Sequence, residues 1–142
     1  MAFEEVRELT DMDFYSLLEK TPQNIKFINV SELKTGSDGN TYIYVNLKVM
    51  DTKQEVQISF NVGLSDGKIL ITSNTKIYPL ISFVTGITGE KIRGFYDDLK
   101  ESLLNLEIKA TCKRYKIGNK YYYKLVPLEM INQEKATIQE NT

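Results

Sequence analysis

The segment "TYIYVNLKVM", residues 41–50, alternates without a break. Ile43, Val45, Leu47 and Val49 fall on one face, and Tyr42, Tyr44, Asn46 and Lys48 on the other. A period of two is the mark of a half-buried strand, because successive side chains point to opposite sides of a sheet. Just beyond it "EVQISFNVG" repeats the pattern, with Val56, Ile58, Phe60 and Val62 inward and Glu55, Gln57, Ser59 and Asn61 outward. The intervening "DTKQ" reads as a tight hairpin link. Two such strands in succession commit the chain to an antiparallel sheet with one apolar face.

The rest of the chain is read around that pair. "TDMDFYSLLEK", residues 10–20, predicts a short helix with Thr10 and Asp13 at capping-box spacing and Phe14, Leu17 and Leu18 as its stripe, ended by Thr21-Pro22. "IKFINVSEL" predicts a first strand, "TGSDGN" a turn, and "LSDGKILITS" room for one further short strand. Helical spacing returns in "NTKIYPLISFVTGI", with Pro79 in a first turn and Gly86 as a stop, and in "DDLKESLLNL", with Asp98 and Glu101 at capping-box spacing. The "FVTGITGEKIRGFY" stretch between them reads as a loop. It is either a mobile one adding Lys91 and Arg93 to a basic surface or a plain linker. Then "LEIKATCKRY" puts Leu106, Ile108, Ala110 and Cys112 inward, Gly118-Asn119 supplies a two-residue turn, and "KYYYKLVPLE" is the last strand. Its parity assigns Tyr121, Tyr123 and Leu125 to the core face, with Tyr122 and Lys124 outside.

The expected fold is therefore mainly β. It is a five-stranded Greek-key OB-type barrel over residues 25–128, with a helical lead-in over 1–24, a helical insert between strands three and four, and a mobile polar tail over 129–142. An open α+β sheet uses the same elements.

Composition narrows the chemistry. Histidine is absent and Cys112 is the only cysteine. That removes histidine-based acid–base catalysis, Ser-His and Cys-His nucleophiles, internal disulfides, and zinc sites of His or several Cys. Asp11-Asp13 and Asp97-Asp98 are pairs that could hold magnesium, but each sits at a helix start, where acids favour the positive end of the dipole. They read as capping residues. "TGSDGN" and "TGITGE" lack the Gly-Lys-Ser/Thr ending of a phosphate loop and read as turns. The expectation is a non-enzyme with no cofactor and no metal. The acidic "MAFEEVRELT" lacks the basic-then-apolar pattern of a secretion signal, and runs such as "PLISFV" are too short to span a bilayer. A cytoplasmic chain without membrane contact is expected.

The formal net charge of −1 conceals a polarised segment. Residues 109–124 carry six cations and no acid, so the remainder sums to −7. Within it "KRYKIGNKYYYK", residues 113–124, interleaves five cations with four tyrosines. Positive charge with aromatic rings suits single-stranded nucleic acid, since every base offers a π-face and every nucleotide a phosphate. OB folds use the outer face of strands two and three with the loops joining strands 1–2 and 4–5. The candidate stacking residues are thus Tyr42, Tyr44, Tyr115 and Tyr122. The candidate phosphate contacts are Lys48, Lys113, Arg114, Lys116, Lys120 and Lys124. The bland alternative is strand chemistry: tyrosine suits strands, and edge lysines block aggregation. Another is a protein-interaction module whose basic hairpin docks an acidic partner.

Three small motifs in order carry a resemblance over residues 73–128. They are Thr75, Lys76, Tyr78 and Leu80 in "SNTKIYPLISFV"; Leu99, Leu103 and Leu104 in "DDLKESLLNL"; and Gly118, Lys120, Tyr122 and Tyr123 in the terminal hairpin. Together they resemble the small OB-fold proteins of bacteriophages and mobile elements. Asn105 stands where that pattern carries a glycine, between the Leu-Leu helix and the next strand. The resemblance implies single-stranded DNA binding in replication or recombination, with a replication or recombination protein as a second partner.

Overall fold

The structure is a computed structural model, described here over residues 2–131. Among the described residues about 48% are strand and 20% helix, and they form a curled antiparallel half-barrel with three helices. The elements in order are α1 (Asp11–Lys20), β1 (Gln23–Val30), β2 (Lys34–Thr35), β3 (Thr41–Val49), β4 (Glu55–Ser65), β5 (Lys68–Thr72), α2 (Tyr78–Thr85), β6 (Lys91–Gly94), α3 (Tyr96–Leu103), β7 (Glu107–Ile117) and β8 (Lys120–Met130). The sheet runs β6-β5-β4-β3-β1-β7-β8, with β2 paired to β3.

Several expectations need correction. Among the described residues the sheet has eight strands rather than five, and it is not closed. Among the described residues β8 pairs with β7 alone and β6 with β5 alone, so the two edge strands do not meet. The "FVTGITGEKIRGFY" stretch is not a plain loop: Lys91–Gly94 pairs with β5 and buries Ile92. The last strand also runs past residue 128 to Met130, and the polar tail from residue 132 lies outside the described residues.

Alternation does the packing. Ile43, Val45, Leu47 and Val49 of β3 and Val56, Ile58, Phe60 and Val62 of β4 are buried, as the period of two requires. The helices add Phe14, Tyr15 and Leu18 from α1, Leu80 and Ile81 from α2, and Leu99 and Leu103 from α3. Thr10 caps α1, its Oγ1 accepting from the Asp13 amide at 3.1 Å. Pro79 lies in the first turn of α2, and Gly86 ends it in the left-handed region at φ 76°. The capping-box expectation for α3 fails: the helix starts earlier, Phe95 is its N-cap, and Asp98 lies inside the first turn. Asn105, where the resembled pattern has glycine, takes φ 67°, a conformation that asparagine tolerates better than most side chains.

β4 serves two pairings. Its first eight residues pair with β3 and its last three, Gly63–Ser65, with β5. Gly63 sits at the change of partner, where a Cβ would come within 2.8 Å of the Leu70 carbonyl oxygen. Gly63→Ala is expected to cost roughly 1–3 kcal/mol in urea unfolding, because backbone must move to admit the methyl group. The following hairpin turns on Asp66 and Gly67, both at positive φ, the pattern of a type I′ turn.

Candidate nucleic-acid interface

Between Glu107 and Ala110, β7 is held by β1 on one side and β8 on the other; beyond Ala110 it pairs with β8 alone. Residues 113–124 therefore form a two-stranded ribbon that outruns the sheet. Its turn is Gly118-Asn119, with only Gly118 at positive φ (62°), the pattern of a type II′ turn. Cross-strand register sets the side chains. Lys113 faces Lys124, Tyr115 faces Tyr122, Arg114 faces Tyr123 and Lys116 faces Tyr121.

One face thus carries Lys113, Tyr115, Lys120, Tyr122 and Lys124. The Tyr115 and Tyr122 rings stack at 5.8 Å between centroids, and the Lys124 ammonium lies 5.5 Å from the Tyr115 ring. The opposite face carries Arg114, Lys116, Tyr121 and Tyr123. Arg114 and Lys116 lie 5.0 and 5.7 Å from the Tyr121 ring centre. Tyr121 is 56% exposed, so its expected core position is wrong. Strand parity places it on the core-facing side, but the ribbon has left the core by that point.

The ribbon's root is anchored. Tyr123 stacks on buried Tyr15 of α1 at 5.1 Å and 7°, and Leu125 is in the core. Lys76 reaches within 5.6 Å of the Tyr15 ring, and burial lowers its pKa against the opposing pull of Asp11. Tyr15 Oη is buried without a hydrogen-bond partner, and burial, with Asp11 nearby, holds its hydroxyl well above the usual range. Arg114 meets the Glu19 carboxylate at 3.4 Å. These root contacts join residues far apart in the chain, and nothing in the local pattern announces them.

Cys112 lies on the inner face at the same root, its Sγ donating to the Tyr15 carbonyl at 3.1 Å. Burial, then Glu19, pushes its pKa up to about 11. At pH 8 only ~0.1% is thiolate, the reactive form. Labelling by a thiol reagent is expected to be at least tenfold slower in the folded protein than in urea.

Tyr42 and Tyr44 form a separate pair, edge to face at 5.4 Å, and the hydrogen bond that the Tyr42 hydroxyl donates to Tyr44 is the main cause raising the Tyr42 pKa. They do not share the ribbon's patch. Tyr44 lies opposite Ser31, eight residues along β1 from Gln23, and Tyr115 lies five residues beyond the Gln23–Ala110 pair. At ~3.3 Å per residue that separates the two tyrosine pairs by about 40 Å along the sheet. Lys48 sits midway, with Glu55 opposite it on β4 and Lys26 opposite it on β1. Of the ten candidates, seven gather on the ribbon: Lys113, Arg114, Tyr115, Lys116, Lys120, Tyr122 and Lys124.

Asp11, Asp13, Asp97 and Asp98 lie in first helical turns, and no group of three or more Cys, Asp or Glu side chains placed to hold a metal occurs among the described residues. No described helix is long and apolar enough to cross a membrane. No protein-family model, curated protein or solved structure matches the chain.

Proposed function

We propose that the chain is a non-enzymatic binder of single-stranded nucleic acid, DNA in the first instance, acting in replication or recombination through the β7–β8 ribbon. The observation that carries this reading is the ribbon's make-up. Five cations and no acid occupy a segment free of the sheet on both sides, and a stacked tyrosine pair lies among them. Lysines and Arg114 would neutralise phosphates, while Tyr122 and Tyr121 offer ring faces to bases. Tyr42 and Tyr44 on β3 would be a second stacking station, reached by a ligand that runs across the sheet.

The strand order supports an OB-type reading. Three consecutive strands β1, β3 and β4, with β7 returning by a long connection to lie beside β1, is the Greek-key arrangement β7-β1-β3-β4. β5, β6 and the helices would then be additions that fill the opening between β4 and β8.

Fluorescence anisotropy of a labelled oligo-dT of about 20 nucleotides tests the function. If three or four phosphates are neutralised, log K is expected to fall against log salt with a slope of roughly −2 to −3. No binding at low salt, or affinity indifferent to salt, would overturn the reading.

One observation favours a second reading, an acidic protein partner. Tyr115 already has Tyr122 on one side and Lys124 near its ring, and Arg114 already holds a carboxylate from Glu19. That reading expects no retention on oligo-dT, and partner binding abolished by reversing Lys116 and Lys120.

A further inference from the structure

A single strand lying on the ribbon uses one of its faces, and the ribbon has two. Lys113, Lys120 and Lys124 stand on the face with the stacked tyrosine pair, and Arg114 and Lys116 on the other. Both sets reach water, for the residues from Lys116 to Tyr122 are all exposed. Among the described residues Glu19, on Arg114, is the one acid paired with a ribbon cation. Cations on opposite faces of one thin element suit phosphates on both sides at once. The tip adds an apolar residue: Ile117, beside the Gly118-Asn119 turn, is 60% exposed and lies outside the core.

A double helix offers phosphates on both sides. Its major groove is ~12 Å wide and ~8.5 Å deep, is walled by a phosphate chain on each side, and admits a two-stranded β-ribbon. The part of β7 beyond its pairing with β1, Thr111 to Ile117, is ~23 Å long at ~3.3 Å per residue. That length lets the ribbon lie in the groove while the body stays outside, one cation set against each wall. Isoleucine is among the side chains that proteins wedge between base steps. Unstacking is costly inside a duplex, but it has already occurred where a duplex gives way to single strand. There the bare face of the last base pair is apolar surface for Ile117.

We propose that the ribbon's preferred ligand is a junction of duplex and single-stranded DNA. The ribbon lies in the major groove at the open end of the duplex, Ile117 covers the last base pair, and the unpaired strand leaves over Tyr122. This rests on the reading of the ribbon as a nucleic-acid binder and names the form of nucleic acid it takes. A single strand along one face meets at most three of the cations, whereas the junction meets all five.

Fluorescence anisotropy of the full chain with three labelled probes tests it. They are an oligo-dT of about 20 nucleotides, a blunt duplex of about two helical turns, and that duplex carrying the oligo-dT as a tail. The tailed duplex is expected to bind at least about tenfold tighter than either part. Its salt slope should be steeper than that of oligo-dT by about 1.8, for two further cations at ~0.9 per duplex phosphate. Ile117→Ser should remove most of the preference while leaving oligo-dT affinity and thermal unfolding unchanged. If oligo-dT or the blunt duplex binds as tightly as the tailed duplex, the junction is overturned, and binding to oligo-dT would still uphold the single-strand reading. A preference that survives Ile117→Ser overturns it too, because the tip then takes no part. Binding to none of the probes removes the ribbon from nucleic acid altogether, and this inference with it.

Discussion

Replacing Lys113, Tyr122 and Lys124 together with alanine is expected to weaken oligo-dT binding by at least about 30-fold at low salt. Loss of one stacking ring costs ~1–3 kcal/mol, and every 1.4 kcal/mol is tenfold in affinity. The two lysines add an electrostatic loss that should also flatten the salt slope by about 1.4, at ~0.7 per phosphate on a single strand. The three side chains share one face of the ribbon, beyond the last pairing of β7 with β1, and none belongs to the buried core. Thermal unfolding is therefore expected to stay within a few degrees of wild type. Equal binding by the variant would remove this face of the ribbon from the interface, and a collapse in stability would show that the ribbon is structural.

Phe14→Ala is expected to destabilise the chain by about 3–5 kcal/mol in urea unfolding, a large share of the ~5–15 kcal/mol that holds a domain together. Phe14 is 0% exposed and packs edge to face on Tyr15 at 5.5 Å. Tyr15 in turn stacks on Tyr123 at the ribbon's root. A cavity at Phe14 thus loosens a helix that holds the root in place. At temperatures where the variant remains folded, oligo-dT affinity should fall as well, by less than in the ribbon variant, because the charges remain. Unchanged affinity would mean that the ribbon keeps its geometry without the aromatic chain behind it.

Much of the sheet was legible because burial imposes a period on residues that pack. β3, β4 and the first half of β7 alternate cleanly, and their inner residues are the ones the structure buries. The turns at Gly86 and Gly118 were legible because backbone at positive φ selects glycine. Three things were not. β6 is four residues long, too short to show a period, and its single buried residue, Ile92, is indistinguishable from any apolar residue in a loop. Parity placed Tyr121 on the core-facing side, but parity says nothing about whether anything stands opposite. The separation of Tyr42 and Tyr44 from the ribbon depends on how far β7 slides past β1, and no local pattern records that register. The ribbon itself was the most visible part of the candidate site, since charge and aromatic content are properties of the sequence and need no fold to be seen.

The tyrosine contacts also make the chain its own optical probe. With nine tyrosines and no tryptophan, its ultraviolet emission comes from phenol rings alone. Three pairs hold those rings within 6 Å of each other, and each pair stands at a different place: Tyr42–Tyr44 on β3, Tyr15–Tyr123 at the root, and Tyr115–Tyr122 on the ribbon. Rings at such distances share excitation, so whatever slides against the ribbon pair changes a signal that the other two pairs hold steady. A ligand seated on the ribbon would then be reported by the unlabelled protein in its own light.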